Sequence, residues 1–404
     1  MPIAKGVNKR VIYKKETAGQ WGVIASATGA TILRRVTADF NLSKETYESN
    51  ELRTDFQVAD MRHGVRSADG SLNGELSPGS YAPFMASVVA RDFTAGATAT
   101  GLSVTIAASG SLFTITRSAG SWLTDGFYVG NVFRLTGAGL NAANVGNNVL
   151  IVALTATIAT VQVLSTTPLV AEGPIATVTA TVAGKQTFAP LSGHTDDSYT
   201  VEEFYSDIAQ SEIYTGMKVG SVDVKLPATG LVTADFTLKG KNLGQTGTTQ
   251  YFTSPTAASS TGVLASVNGA LVVNGTPVAI VTSLDFKIER GLEGATVVGS
   301  NTSADMFTGK IKVTGNFSAY FQDATFRNLF DQETVTSLVV ALTTNSGKTG
   351  DFVTFAIPKI KLGSANQSDA EMGIVAQHSF TALLNDVTTA GLVNSSILIT
   401  DSLA

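Results

Sequence analysis

Short runs in which apolar and polar residues alternate recur along the chain: ILRRVTADFNL from residue 32, VGSVDVKLP from 219, LVTADFTLKG from 231, SLDFKIE from 283, KIKVTGNFSAYF from 310 and FAIPKIKLG from 355. Side chains on a strand point to opposite faces in turn, so a period of two predicts strands with one dry and one wet face. Turn residues bound most of these runs, which points to antiparallel sheets. Two stretches break the pattern. Residues 80–93 place Phe84, Val88 and Val89 at helical spacing, residues 323–333 do the same with Phe326, Leu329 and Phe330, and each is expected to form a short helix.

The two helices suggest an internal repeat. Ala38-Asp39-Phe40 lines up with Leu284-Asp285-Phe286, each in a strand followed by a long irregular segment. Gly74-Glu75-Leu76-Ser77 then lines up with Gly315-Asn316-Phe317-Ser318, each running toward its helix, and strand pairs ending in ADFTLKGKNL and HSFTALLND close the two halves. Identity is low, and the agreement lies in the type and order of elements. Residues 96–186 differ in composition, their only charges being Arg117, Asp125, Arg134, Glu172 and Lys185 amid Val, Thr, Ala and Gly. Runs such as LFTITR, VLIVALT and ATVTATV predict an inserted domain with Trp122, Phe127 and Phe133 in its core. Insertions are tolerated where the chain is exposed, so this one is expected on an outer surface. The fold class that follows is all-β with one short helix per module: two β-sandwich or barrel modules, residues 1–95 with 187–248 and residues 249–404, plus an immunoglobulin-like or small-barrel insertion at 96–186.

Composition agrees with strands. The 404 residues are 44% hydrophobic but only 15% charged, against about 25% in ordinary globular chains, so much of the polar surface must be Thr, Ser, Asn and Gly. A net charge of -5 argues against general nucleic-acid binding, which needs clustered Lys and Arg to displace counterions. Passage of DNA along an acidic wall is a different matter. The absence of cysteine excludes disulfides, thiolate metal sites and a cysteine nucleophile. The amino terminus, MPIAKGVNKRVIYKK, is basic and lacks the apolar stretch of a secretory signal, so export by the general route is not expected. The run VLIVALTATIATVQVL is too short and too often interrupted by Thr and Gln for a spanning helix, and no membrane insertion is expected.

Candidate chemistry is sparse. His63, His194 and His378 sit in no motif, and His194 beside Asp196 and Asp197 lacks the further ligands a tetrahedral metal site needs. NSGKTGD at 345–351 has the lysine of a phosphate-binding loop, but Leu342 stands where the motif requires its first glycine and a strand pattern follows, so a hairpin turn is expected. Carboxylates cluster at 196–207 and 44–55, and paired acids can serve glycoside hydrolysis. Here Tyr199, Phe204 and Tyr205 alternate as ordinary strand or helix faces, and solvated acidic faces or an acidic channel wall account for the charge. No catalytic, cofactor or metal site is expected, and the chain reads as a non-enzyme.

The segment YTGMKVGSVDVKLPATGLVTADFTLKGKNL, residues 214–243, resembles the closing strands of tail tube proteins from long, non-contractile-tailed bacteriophages. The resemblance extends to NGELSPGSYAPFMASVV at 73–89 and reappears in KIKVTGNFSAYFQDATFRNLF at 310–330. It implies subunits that join sheets edge to edge into rings, with rings stacked into a hollow tube in the virion tail, assembled in the host cytoplasm and used in genome ejection. Family tubes present six modules per ring, so two modules per chain imply a homotrimer with pseudo-sixfold symmetry, and a single enlarged module a homohexamer. The implied partners are further copies of the chain, the tape measure protein, the tail terminator and distal tail proteins, and double-stranded DNA in transient, non-specific passage. The basic arm Lys5, Lys9, Arg10, Lys14 and Lys15 is expected to reach the adjacent ring, and residues 45–66 to clasp a neighbour. Asp223, Asp235, Glu75 and Asp285 are the lumen-facing candidates, since negative charge lets DNA slide without adhering. A second function class is a surface adhesin or carbohydrate-binding β-sandwich, which the Thr-rich insertion suggests.

Overall fold

The computed structural model describes residues 3–368, 373–386 and 391–404, and the fold is all-β with two short α-helices, α1 at Ala82–Val89 and α2 at Thr325–Asp331. One antiparallel sheet runs through the whole molecule. Its order is Thr37–Glu48, Met61–Glu75, Thr233–Gly240, the second half of Gln210–Pro227, Val281–Ala295, Asp305–Tyr320, Val375–Ala382 and the end of Phe352–Leu362. Two smaller sheets cover its apolar face. In one, Lys9–Lys15 pairs with Tyr199–Tyr205, which pairs with the first half of Gln210–Pro227; in the other, Gly269–Val273 pairs with Thr336–Thr343, which pairs with Phe352–Leu362.

The two halves repeat local features at matching places. A single 3-10 turn, Gly6–Asn8 or Ser266–Asn268, opens each half and leads into a strand. Phe40 stands opposite Gly70 as Phe286 stands opposite Gly315. Four residues on, the pairing Lys44 with Arg66 gives way to Thr46 with His63, and Arg290 with Ile311 gives way to Leu292 with Thr308. In both hairpins the returning strand therefore carries one extra residue, at Gly64-Val65 and at Gly309-Lys310, a bulge that bends and twists the ribbon. The long connecting strands bulge alike, at Thr215-Gly216 and at Pro358-Lys359, where each turns from one sheet into the other. Gly216 has φ +69 and a Cβ there would meet the Trp21 ring, so the position requires glycine. Gly315 thus corresponds to Gly70, four residues from the Gly74 that sequence alignment pairs with it. The reason is that the register follows the phenylalanines packed in the core rather than the distance to the helix.

Residues 98–182 form a closed six-stranded barrel in the order Ile158–Val163, Leu112–Arg117, Thr98–Ser109, Glu172–Val182, Val132–Thr136, Val149–Leu154. Trp122, Phe127 and Phe133 are fully buried in it, in mutual edge or tilted contact. The chain leaves the first half after Ala90 and returns at Thr195, whose amide donates to the Ala90 carbonyl at 2.8 Å. The flanking strand Lys185–Phe188 pairs with the C-terminal strand Leu398–Asp401. Val339, Ala341, Phe352 and Ala356 pack into the barrel, whereas Leu338, Val340, Val353 and Phe355 point into the sandwich core. With both faces dry, these strands read as continuous apolar runs. The barrel is sealed to the second half by bonds such as Thr354 Oγ1 to the Gly130 carbonyl, 2.9 Å, and Asn148 Nδ2 to the Gly350 carbonyl, 2.7 Å.

Because the barrel and the second half share a core, Phe133→Ala should destabilise both together, by about 3–5 kcal/mol. Urea unfolding followed by circular dichroism and by tryptophan fluorescence should give coincident transitions at lower denaturant. Asp401 supplies a pH test. Burial pushes its carboxyl up to about 6 from 3.8, with the Leu403 and Gly79 amides opposing and Asp351 adding. An acid that holds its proton more tightly when folded contributes stability at low pH that is lost as pH rises from about 4 through about 6. Thermal melts should record that decline, and Asp401→Asn should flatten it.

Candidate functional site: a polar sheet face and two open edges

The alternation that builds the large sheet sorts its faces. Phe40, Leu72, Val222, Val224, Phe236, Leu284, Phe286 and Val313 point into the core. The other face is polar from edge to edge. In one row Thr37, Asn73, Asp235, Asp223, Lys287 and Thr314 are successive cross-strand neighbours; in the next, Glu75, Thr233, Lys225, Asp285 and Asn316. The four acidic candidates Glu75, Asp223, Asp235 and Asp285 therefore share one face. Lys225 bonds Asp235 at 2.7 Å, Asn73 donates to the same carboxylate, and Asn316 donates to Asp285 at 3.2 Å. Partial burial raises the Asp223 carboxyl, with Lys287 and Lys225 opposing and Asp235 and Asp285 adding to the rise. Across the face, Asp39, Asp69, Glu75, Asp223, Asp235, Asp285 and Glu289 outnumber Lys225, Lys239, Lys287, Lys312 and Lys361.

The basic residues near the amino terminus are held otherwise. Lys9, Arg10, Lys14 and Lys15 lie in a strand paired with Tyr199–Tyr205 of the same chain, and only Lys5 precedes it. Lys9 Nζ pairs with Glu203 at 2.6 Å and Lys15 with Asp197 at 2.7 Å. Two acids of the 196–207 cluster form neither a solvated face nor a channel wall. Glu202 is fully buried and accepts from Ser211 Oγ and from the Tyr251 and Phe252 amides. Burial raises the Glu203 carboxyl, and the Lys9 ammonium opposes the rise. A buried charge is tolerated only when its partners are supplied this fully. Residues 345–351 form the hairpin turn between Thr336–Thr343 and Phe352–Leu362. His63 and His194 are exposed and His378 is buried beside Phe317 and Phe326.

Both lateral edges of the sheet are open. Thr37–Glu48 pairs on one side only, and at the far end Asn366–Gln367 borders Val375–Ala382 without a further strand among the described residues. The hairpin between Thr37–Glu48 and Met61–Glu75 ends in an exposed tip with Leu52 and Phe56 almost wholly in water; the matching tip after Val281–Ala295 exposes Val298.

Sequence reasoning missed the ion cluster where the halves meet. Lys218, nearly buried, bonds Asp196 at 2.6 Å; Arg290, also nearly buried, approaches Asp196 at 3.8 Å and donates to the carbonyls of Ser87 in α1, 3.4 Å, and Thr195, 3.3 Å. The alternation Leu284, Phe286, Ile288, Arg290 already aimed this arginine inward, a signal in the sequence that a charge would be buried there.

Fold and face together define the class, an all-β structural protein that exposes one continuous polar sheet surface bounded by unpaired strand edges. A family model described as phage tail tube protein matches residues 6–382, and the chain belongs to that family. No curated relative matches it. The structural role is accordingly that of a tail tube protein in the virion tail.

Removing Arg290 leaves Asp196 with Lys218 alone and the Ser87 and Thr195 carbonyls without their guanidinium donor. Arg290→Ala should destabilise the chain by about 2–4 kcal/mol in urea denaturation, at or below the value for a fully buried pair because Asp196 is open to water.

Proposed function

We propose that three copies of this chain close into a ring of six tube modules, and that stacked rings form the channel through which DNA leaves the virion. The observation that carries this reading is the junction inside the chain. Residues 221–227 pair with residues 283–289 edge to edge, joining the sheet of the first half to that of the second. The same kind of join between copies would cover the two remaining edges, and closed symmetry is the one arrangement that leaves none open. The barrel packs on the side of the second half away from the polar sheet face, so a ring lined by that face carries the barrel outside. A lumen in which carboxylates outnumber amines repels phosphate and lets a duplex slide.

Within this reading residues 1–95 with 187–248 and residues 249–404 are fused modules, of the kind used in long non-contractile tails, and the 45–66 hairpin clasps a neighbour. The Arg66 amide donates to the Asn301 carbonyl at 2.9 Å, so the second half's hairpin already clasps the first within one chain. Assembly takes place in the host cytoplasm, and the tube's ends and interior meet the terminator, distal tail and tape measure proteins.

End-on electron micrographs of concentrated protein should reveal rings or tubes of constant bore, and native mass spectrometry of a ring should give three chains. Six chains per ring would remove the two-module assignment; a protein that stays monomeric at every concentration would remove the tube.

A further inference from the structure

The internal junction has an unfinished counterpart. Taking Phe40 with Phe286 and the shared hairpin bulges as fixed points, Lys44 occupies the position of Arg290. The bulges in the connecting strands likewise place Lys361 at the position of Lys218, since Met217 pairs with Tyr199 as Ile360 pairs with Thr336. Three residues before Tyr199 stands Asp196, and three before Thr336 stands Glu333.

The chemistry follows these positions. Lys361 Nζ bonds Glu333 at 2.5 Å, as Lys218 bonds Asp196 at 2.6 Å. The third member is absent. Arg290 closes the first cluster from the adjoining strand, but none of the described residues closes the second, and both of its side chains remain open to water at 39% and 77% exposure. Lys44, on the strand at the open edge, is exposed, and its side chain has no hydrogen bond or ion pair among the described residues.

The helices carry the same asymmetry. Helix α1 is almost wholly buried, covered in part by the strand that bears Arg290, whereas α2 has no buried residue and leaves Phe330 40% exposed. Both helices are followed by a residue of positive φ, Ala90 and Glu333, which sets Phe330 at the place of Ser87, the residue whose carbonyl accepts from Arg290.

We infer that Lys44 of a second copy completes the Lys361–Glu333 pair, with the second copy's strand Thr37–Glu48 lying beside residues 363–368 and over α2. This rests on the ring reading and specifies its contact. The occupant is a further copy of this chain because the strand that covers the first cluster has its counterpart only at the opposite edge of the same molecule.

Charge reversal tests it on the full chain. Glu333→Lys and Lys44→Glu should each raise the concentration needed for ring formation about tenfold or more, with circular dichroism and melting unchanged, because each places like charges together. The double variant should recover most of the loss, a coupling that simple damage to the fold cannot produce. Rings that form normally in either single variant, or a double variant as poor as the worse single, would overturn this contact while leaving the tube reading intact. Wild-type protein that forms no rings would overturn both.

Discussion

An unpaired strand edge is the constraint on which this molecule turns. Amides and carbonyls along an edge need partners, and an edge as long as Thr37–Glu48 or Val281–Ala295 would recruit any exposed strand it met. The chain answers once within itself, laying Gln210–Pro227 against Val281–Ala295 and placing an ion cluster beside the seam. Antiparallel pairing fixes the register there, and the buried Lys218 and Arg290 with Asp196 tolerate no slip, because moving either strand by one residue would strand a charge in the core.

Layering follows from that seam. One sheet spans both halves, its apolar face sealed by two smaller sheets and α1, its polar face left free. The barrel adds a third layer on the second half alone. This explains a difference between matching strands: Thr336–Thr343 is apolar on both faces because a core lies on either side, whereas Tyr199–Tyr205 carries Glu202 and Glu203, each buried against polar partners that a barrel would not provide. The sheet thus keeps one free polar face and one covered side.

Much of the architecture was legible in the residues. Period-two runs located the strands of the large sheet, helical spacing located α1 and α2, and the composition of 96–186 marked the stretch that holds the barrel, with Trp122, Phe127 and Phe133 in its core. The faces of Asp223, Asp235, Asp285 and Glu75 followed from alternation alone. The acids of 196–207 misled, since a run of carboxylates looks solvated until the segments that bury them, the Tyr251 and Phe252 amides for Glu202 and Lys9 for Glu203, are brought in from far along the chain. Gly74 misled for a related reason: glycine spacing from a helix is elastic, whereas the contact of Phe40 with Gly70 is not.

By itself the sequence determined the class of structure, the strand faces and the sign of the charge on each, because these depend on neighbours one to four residues apart. Only the tertiary structure decided which edges pair and which stay open, that the barrel is fused to the second half, and that Lys361 and Glu333 repeat Lys218 and Asp196 without a third partner among the described residues. Those facts depend on bulges that shift register by a single residue, and on contacts between segments far apart in the chain, which no local pattern encodes.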